Sequence, residues 1–364
     1  MLGFGSTRRG RGVECKINMY FLGAIILSVI FTLVVKHLAT KFSIVDRPTM
    51  PRKKHKKAMP LLGGVAIWAA FWVVTAILVF GTDLVGKNLS LAKLFWVFIG
   101  STILIIVGVL DDKFSLNPKL RLVFTAFAVL VALAGGVGIE KITNPFGGIW
   151  YLDFWQIGLG ALGTILVFAD IIVFLWILGM TYTTKILDGL DGLTTGISAI
   201  GALMIFFIAS GTRWHQADVA LVALVFAGAC LGFLLFNFNP AKIFLGESGS
   251  LFLGYMLGVL SVISGGKFAT ALLVMAVPIL DLGYVIVARL HAGKAIAAGD
   301  RSHLHFRLVD AGWSQRRTVL FLYAVAILFG LTTLFFQSQE KIIILLALVA
   351  LTLVFERVVT AWKK

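Results

Sequence analysis

The sequence predicts an all-α, polytopic integral membrane protein of about eleven transmembrane helices, with its active site at the cytoplasmic face. Three observations carry the fold class. Of 364 residues, 59% are hydrophobic and only 13% charged, and the mean hydropathy is +0.99. Soluble domains are about 25% charged and cannot hide so many apolar side chains in one core. The apolar residues also fall in runs of about 20, the length of a bilayer-crossing helix, separated by short polar stretches. A barrel strand would instead alternate every second residue, so helices, which satisfy every backbone group within lipid, are the expected spans.

In chain order the runs place spans at about 20–40, 61–80, 94–110, 120–138, 156–179, 193–210, 217–236, 249–264, 268–290, 318–336 and 341–360. The eighth run is short and rich in Gly and Ser, as suits a helix packed inside a bundle. No repeat or second domain interrupts residues 19–364, which read as one membrane-embedded unit. Residues 1–18, with Arg8, Arg9 and Arg11, read as a basic, disordered tail without the apolar core of a signal peptide, and Met19 is an alternative start. Cys15 and Cys230 build neither a metal cluster nor a disulfide framework.

The net charge of +15 could suggest nucleic acid, but in a polytopic protein such charge marks cytoplasmic loops. The loops after spans 1, 3, 5, 7 and 9, together with the C-terminal end, carry most of the Lys and Arg. The opposite loops carry only Lys87, Lys93, Lys141, Arg213, Lys267 and Lys341. The positive-inside rule therefore makes the first set cytoplasmic, and only the basic N-terminal tail falls on the other side.

Those five cytoplasmic loops hold nearly all the residues with site-like spacing. The first runs from Asp46-Arg47-Pro48 into PRKKHKKAMPLLGG, with Arg52 and His55 among cations that suit either lipid head groups or a phosphate. In the second, GVLDDKFSLNPKLRL, adjacent Asp111 and Asp112 need a cation, a proton or close partners such as Lys119 and Arg121 to offset their repulsion. The third, ILDGLDGLTTG, sets Asp188 and Asp191 three apart, on one face if helical, beside glycines that admit a ligand to the backbone. The fourth, NFNPAKIFLGESGS, puts Glu247 at a Gly/Ser-rich helix start, where carboxylate oxygen suits Mg²⁺ and the helix N-terminus suits phosphate. In the fifth, His303 and His305 alternate between Arg301 and Arg307, so that an extended segment would point both rings one way toward a diphosphate.

Carboxylates and cations gathered at one interface suit phosphoryl transfer, in which a divalent ion and basic groups neutralise phosphate oxygens. Transport suits them less, because transport sites lie near the midplane and the acids well inside the spans are Asp170 and Asp281.

At these loops the chain resembles the polyprenyl-phosphate N-acetylhexosamine-1-phosphate transferases. The match runs through DRPTMPRKKH with PLLGG, LDD with NPKLRL, LDGLDGL, NFNPAKIFLGESGS and SHLHFRL, in that family's order and over nearly the whole chain. The last of these is similar to the HLHHRL form of the GlcNAc-1-phosphate branch rather than the consecutive histidines of the phospho-MurNAc-pentapeptide translocase branch. The resemblance implies that a lipid phosphate attacks the β-phosphate of a UDP-N-acetylhexosamine with Mg²⁺, or Mn²⁺ in its place, and that UMP leaves. By position it implies catalytic roles for Asp111, Asp112, Asp188 and Asp191, and metal ligation by Glu247 and Asp191. It also implies substrate contacts from Asn237, Phe244, His303, His305 and Arg307, to which the basic loops add Arg52, His55, Lys119, Arg121 and Arg301 as candidate substrate-binding residues. Partners follow: the UDP-sugar, a polyprenyl phosphate and the cell membrane, without nucleic acid; a homodimer is compatible with this reading. Glu247 stands where the family usually has Asp, Tyr182 and Lys185 where relatives often have Asn, Phe306 at a His position and Arg121 at a common Lys. The competing readings are the pentapeptide translocase and, from another class, a multi-span transporter with a cytoplasmic metal site.

Overall fold

A computed structural model describes residues 8–48, 58–87, 89–144, 148–158, 164–211, 216–265, 268–291, 293, 302–336 and 338–361. Its helices are α1 (Arg8–Lys41), α2 (Gly63–Gly81), α3 (Leu91–Phe114), α4 (Pro118–Ala134), α5 (Val167–Leu187), α6 (Leu193–Ser210), α7 (Ala217–Asn237), α8 (Gly246–Ile263), α9 (Phe268–Val274), α10 (Ala276–His291), α11 (Leu304–Asp310), α12 (Gln315–Phe335) and α13 (Ser338–Ala361). Three antiparallel two-stranded ribbons join them: β1 (Val45–Asp46) with β2 (Met59–Pro60), β3 (Lys141–Thr143) with β4 (Ile149–Tyr151), and β5 (Gln156–Gly158) with β6 (Thr164–Leu166).

Burial follows the solvent. Helix α1 exposes Leu22, Ile26, Ile30 and Leu33, and α4 exposes Leu122, Val123, Phe127 and Leu130, outward rows that water would penalise and hydrocarbon accepts. The centre is α8, buried on nearly every side and packed against α2, α3, α5 and α6. Its close neighbours are small: a Cβ on Gly64 of α2 would overlap the Gly249 backbone, and one on Gly108 of α3 would overlap Ser248. Backbones therefore meet directly along α8, as in other helix pairs within membranes.

Among the described residues, eight helices are long and apolar enough to cross a membrane: most of α1, then α2, α3, α5, α6, α7, α8 and α12. The protein is a multi-pass membrane protein. The other three expected spans fall on α4, which is 17 residues long, on the α9–α10 pair, and on α13, with its apolar stretch Ile343–Thr352. The expected single span at 268–290 is broken after Val274, because Pro278 has no N–H to return to the Val274 carbonyl four residues back. The expected span at 156–179 begins only at Val167. Over 156–158 and 164–166 the chain pairs as the strands β5 and β6 instead. At the N-terminus α1 starts at Arg8, inside the tail read as disordered, since extending an existing helix adds a hydrogen bond for each residue fixed.

Candidate active site

All five loops converge. Asp46 and Met59 from the first, Asp111 and Asp112 from the second, Lys185, Asp188 and Asp191 from the third, Asn237, Asn239, Phe244 and Glu247 from the fourth, and Phe306 with Gln315 from the fifth line one cavity of about 960 Å³. That volume suits a ligand of nucleotide-sugar size.

The adjacent Asp111 and Asp112 both lie in the last turn of α3, which carries them inside the helix rather than in a loop. Successive residues point about 100° apart on a helix, so the two carboxylates diverge. Asp111 turns to Arg121 at the start of α4, with Oδ2 accepting from Nη1 at 2.7 Å. Asp112 turns to the N-terminus of α8. Its Oδ1 accepts from the Glu247 N–H at 2.8 Å, and its Oδ2 accepts from the Ser248 N–H at 3.4 Å and the Ser248 hydroxyl at 3.2 Å. Leu245 supplies no side-chain cap for α8, so Asp112 caps it from a different helix and its charge faces the positive dipole end. Gly246 makes room for this: its φ is +77°, and a Cβ would sit 2.6 Å from Asp112 Oδ2.

Glu247 is held by two cations. Its Oε1 accepts from Arg121 Nη1 at 2.9 Å and from Lys185 Nζ at 3.0 Å, so Arg121 bridges Glu247 and Asp111. Among the described residues, Asp111 Oδ1 and Glu247 Oε2 are buried without a hydrogen-bond partner. Leaving an anionic oxygen unsatisfied costs more than a neutral one, and a hard cation or a donor on a ligand would satisfy both. Among the described residues no three acidic, His or Cys side chains meet as a ready-made metal site. The donor chemistry nevertheless fits Mg²⁺: oxygen alone, from carboxylates opening on one cavity.

Asp188 and Asp191 do not share a helical face as expected. They sit in the turn between α5 and α6, where Gly192 takes φ +80°, yet both still line the cavity. Asp191 Oδ2 accepts from Asn239 Nδ2 at 2.9 Å and from the Ala241 N–H at 3.1 Å, tying the third loop to the fourth. Asn239 is tied in turn to Gln315 at 2.8 Å. Neither Asn239 nor Gln315 was among the expected site residues. Asn239 could have been suspected from the polar residue before Pro240, whereas nothing in the local sequence marks Gln315.

Asp188 stands open to the cavity yet enclosed by protein. That enclosure, with the negative charges of Glu247, Asp112 and Asp191, raises its carboxyl toward about 8. Cavity water screens the group, so the effect is smaller than full burial would give. A raised carboxyl pKa stabilises the fold below the unfolded value of 3.8, and this contribution is lost as pH climbs toward about 8. Asp188→Asn is therefore expected to flatten the fall in thermal stability across that window. A variant whose melting temperature tracks wild type at every pH would contradict the assignment.

The remaining expected residues divide. Phe244 lines the cavity, and its backbone is pinned on both sides: its N–H donates to the Pro60 carbonyl at 2.8 Å, and its carbonyl accepts from the Gly63 N–H at 3.1 Å. Asn237 also lines the cavity, but its amide is engaged, donating to the Ile243 carbonyl at 3.1 Å and accepting from Thr195 at 3.0 Å. Lys119 is exposed in the first turn of α4 and does not line the cavity. The segment with His303, His305 and Arg307 is not extended, because residues 304–310 close into α11 with His303 at its N-cap. The two imidazoles are nonetheless parallel, 4° apart at 5.9 Å between centroids. Arg307 packs over the Tyr284 ring of α10, away from the cavity wall. The third and fifth loops press together: a Cβ on Gly189 would lie 2.5 Å from both His305 Nε2 and Phe306 Cζ. Arg52, His55 and Arg301 lie outside the described residues.

Comparison with known proteins places these loops in a lineage. The family model described as glycosyl transferase family 4 matches residues 94–265, the segment that carries Asp111 through Glu247. A probable undecaprenyl-phosphate N-acetylglucosaminyl 1-phosphate transferase of Bacillus subtilis (strain 168) is 32% identical, over 89% of this chain and 86% of its own. The chain belongs to the polyprenyl-phosphate N-acetylhexosamine-1-phosphate transferases. Two further members are similar over most of their length. The decaprenyl-phosphate N-acetylglucosaminephosphotransferase of Mycolicibacterium smegmatis is 32% identical over 92% of this chain and 87% of its own. The undecaprenyl-phosphate alpha-N-acetylglucosaminyl 1-phosphate transferase of Escherichia coli (strain K12) is 26% identical over 95% and 92%. Within this transferase family the cavity is thus the place to look for chemistry. Lys185, Glu247 and Arg121 form one ion-paired cluster on its wall.

Proposed function

We propose that this chain transfers N-acetylhexosamine-1-phosphate, GlcNAc-1-phosphate first among the candidates, from a UDP-sugar to a polyprenyl phosphate. The products are polyprenyl-diphosphate-sugar and UMP, and the step opens a cell-envelope glycan pathway at the cytoplasmic face of the inner or plasma membrane. The observation that carries the reading is the meeting of five loops around one cavity that holds Asp111, Asp112, Asp188, Asp191 and Glu247. The relatives' names supply the substrate class, and the loops' excess of Lys and Arg supports the cytoplasmic side.

In the reaction a lipid phosphate oxygen forms a bond to the β-phosphorus of the UDP-sugar, the bridging bond to the α-phosphate breaks, and UMP departs with those electrons. Asp111, aimed into the cavity and steadied by Arg121, is placed to orient the lipid phosphate or take its proton. Asp112 works through α8, holding the helix start that presents Glu247. Glu247 and Asp191 would hold Mg²⁺, which when bound neutralises charge on the diphosphate oxygens. Arg121 and Lys185 bring positive charge to the same wall, and Phe244 offers a ring for the uracil.

The test is turnover by purified protein in detergent with undecaprenyl phosphate and a panel of UDP-sugars. UMP release is expected with UDP-GlcNAc, is expected to stop on chelation of divalent ions, and to return with Mg²⁺. Preference for UDP-MurNAc-pentapeptide would move the protein to the translocase branch, and lipid-independent movement of solute across vesicles without UMP would support the transporter.

A further inference from the structure

Asp281, an acid within an apolar run, finds its partners at the fifth loop. It lies in α10, buried at 4% exposure, and faces the first residues of α11. Both carboxylate oxygens are committed there. Oδ1 accepts from the Leu304 N–H at 2.8 Å, and Oδ2 lies 2.9 Å from His303 Nδ1. The first bond caps α11 from outside, since His303 gives the helix no side-chain cap. The second fixes a ring: a carboxylate only accepts, so Nδ1 carries the proton in this contact, and in the neutral ring Nε2 is then the accepting nitrogen. Among the described residues Nε2 has no hydrogen-bond partner. The oriented ring lies parallel to that of His305, which presses on Gly189 between the two cavity aspartates, while Phe306 and Val309 of the same short helix line the cavity.

We infer that Asp281 is a positioning residue for the transfer reaction: it sets the tautomer and orientation of His303, so that Nε2 is the nitrogen left to accept from a phosphate O–H of the substrate, and it docks the His-bearing helix on α10. The inference rests on the transferase reading above for its substrate, but not for its geometry. An Asp–His pair of this kind is a common way to preset an imidazole, and for metal-bound imidazoles losing the orienting partner costs about 10- to 100-fold.

The test has two arms. In the first, protein carrying ¹⁵N-labelled histidine is reconstituted in lipid nanodiscs, and the His303 resonances are assigned by their loss in His303→Asn from among the six histidines. Wild type is expected to show His303 protonated at Nδ1. Asp281→Asn keeps an acceptor for Leu304 and turns an amide N–H toward Nδ1, so it is expected to move the proton to Nε2. In the second, transfer is compared in Asp281→Asn, His303→Asn and the double variant. Asp281→Asn is expected to lose about tenfold or more, with the double variant no slower than His303→Asn alone. An Nε2-protonated His303 in wild type, or losses that multiply in the double variant, overturns the proposal. Wild-type protein without transfer overturns the functional reading instead, and the labelled-histidine arm then still decides the pairing.

Discussion

Asp111→Asn is expected to lower sugar-phosphate transfer by at least about 100-fold while thermal unfolding in detergent stays close to wild type. The substitution keeps the shape of the side chain and an acceptor for Arg121, which retains its second bond to Glu247 at 2.9 Å. What disappears is the charge, and with it the buried Oδ1 that has no partner among the described residues. An oxygen left unsatisfied in a cavity wall is of use only to something that enters the cavity. Since the protein gains little from that oxygen, its loss should register in turnover rather than in stability. Normal turnover in Asp111→Asn would remove this residue from the chemistry, and a collapsed fold would make it structural.

The neighbouring residue is expected to behave in the opposite way. Asp112→Ala should lower stability by about 2 kcal/mol or more, and reduce activity as a consequence, because it strips the cap from α8. Three donors lose their acceptor at once: the N–H groups of Glu247 and Ser248 and the Ser248 hydroxyl. These lie at the start of the most buried helix in the bundle, where water replaces a lost partner poorly. Activity should fall because the same turn carries Glu247, and a frayed helix start no longer presents it to Arg121 and Lys185. Melting curves with and without the substitution, read beside turnover, test the division. Wild-type melting in Asp112→Ala would show that the cap contributes little.

That two adjacent aspartates should have such different duties could not be seen in the sequence. The pair LDD marks a site because neighbouring carboxylates at a membrane surface need compensation, and this was legible. Which partner each finds depends on where a helix ends. The chain continues α3 to Phe114, past the expected end near residue 110, and this rotation sends one carboxylate to α4 and the other to α8. The membrane class was legible for the opposite reason: the length and apolarity of the runs are local properties. The span at 268–290 reads as continuous by hydropathy alone, and only Pro278 betrays the break. At the fifth loop the alternation of His303 and His305 suggested an extended segment. Docking against Asp281, twenty-two positions earlier, makes it the start of a helix instead. Interactions that join distant loops, such as Asp191 with Asn239 and Asn239 with Gln315, leave no local signature, so the convergence of the loops was visible through charge but its wiring was not.

The most direct measurement follows the fate of one phosphorus atom. UDP-GlcNAc labelled at the β-phosphate is incubated with the purified protein and undecaprenyl phosphate, and the lipid and nucleotide fractions are separated. Attack at the β-phosphorus carries the label into the lipid and releases unlabelled UMP. Label recovered as UDP would mean that the sugar moved without its phosphate, and label left wholly in UDP-GlcNAc would mean that the cavity does not perform this reaction.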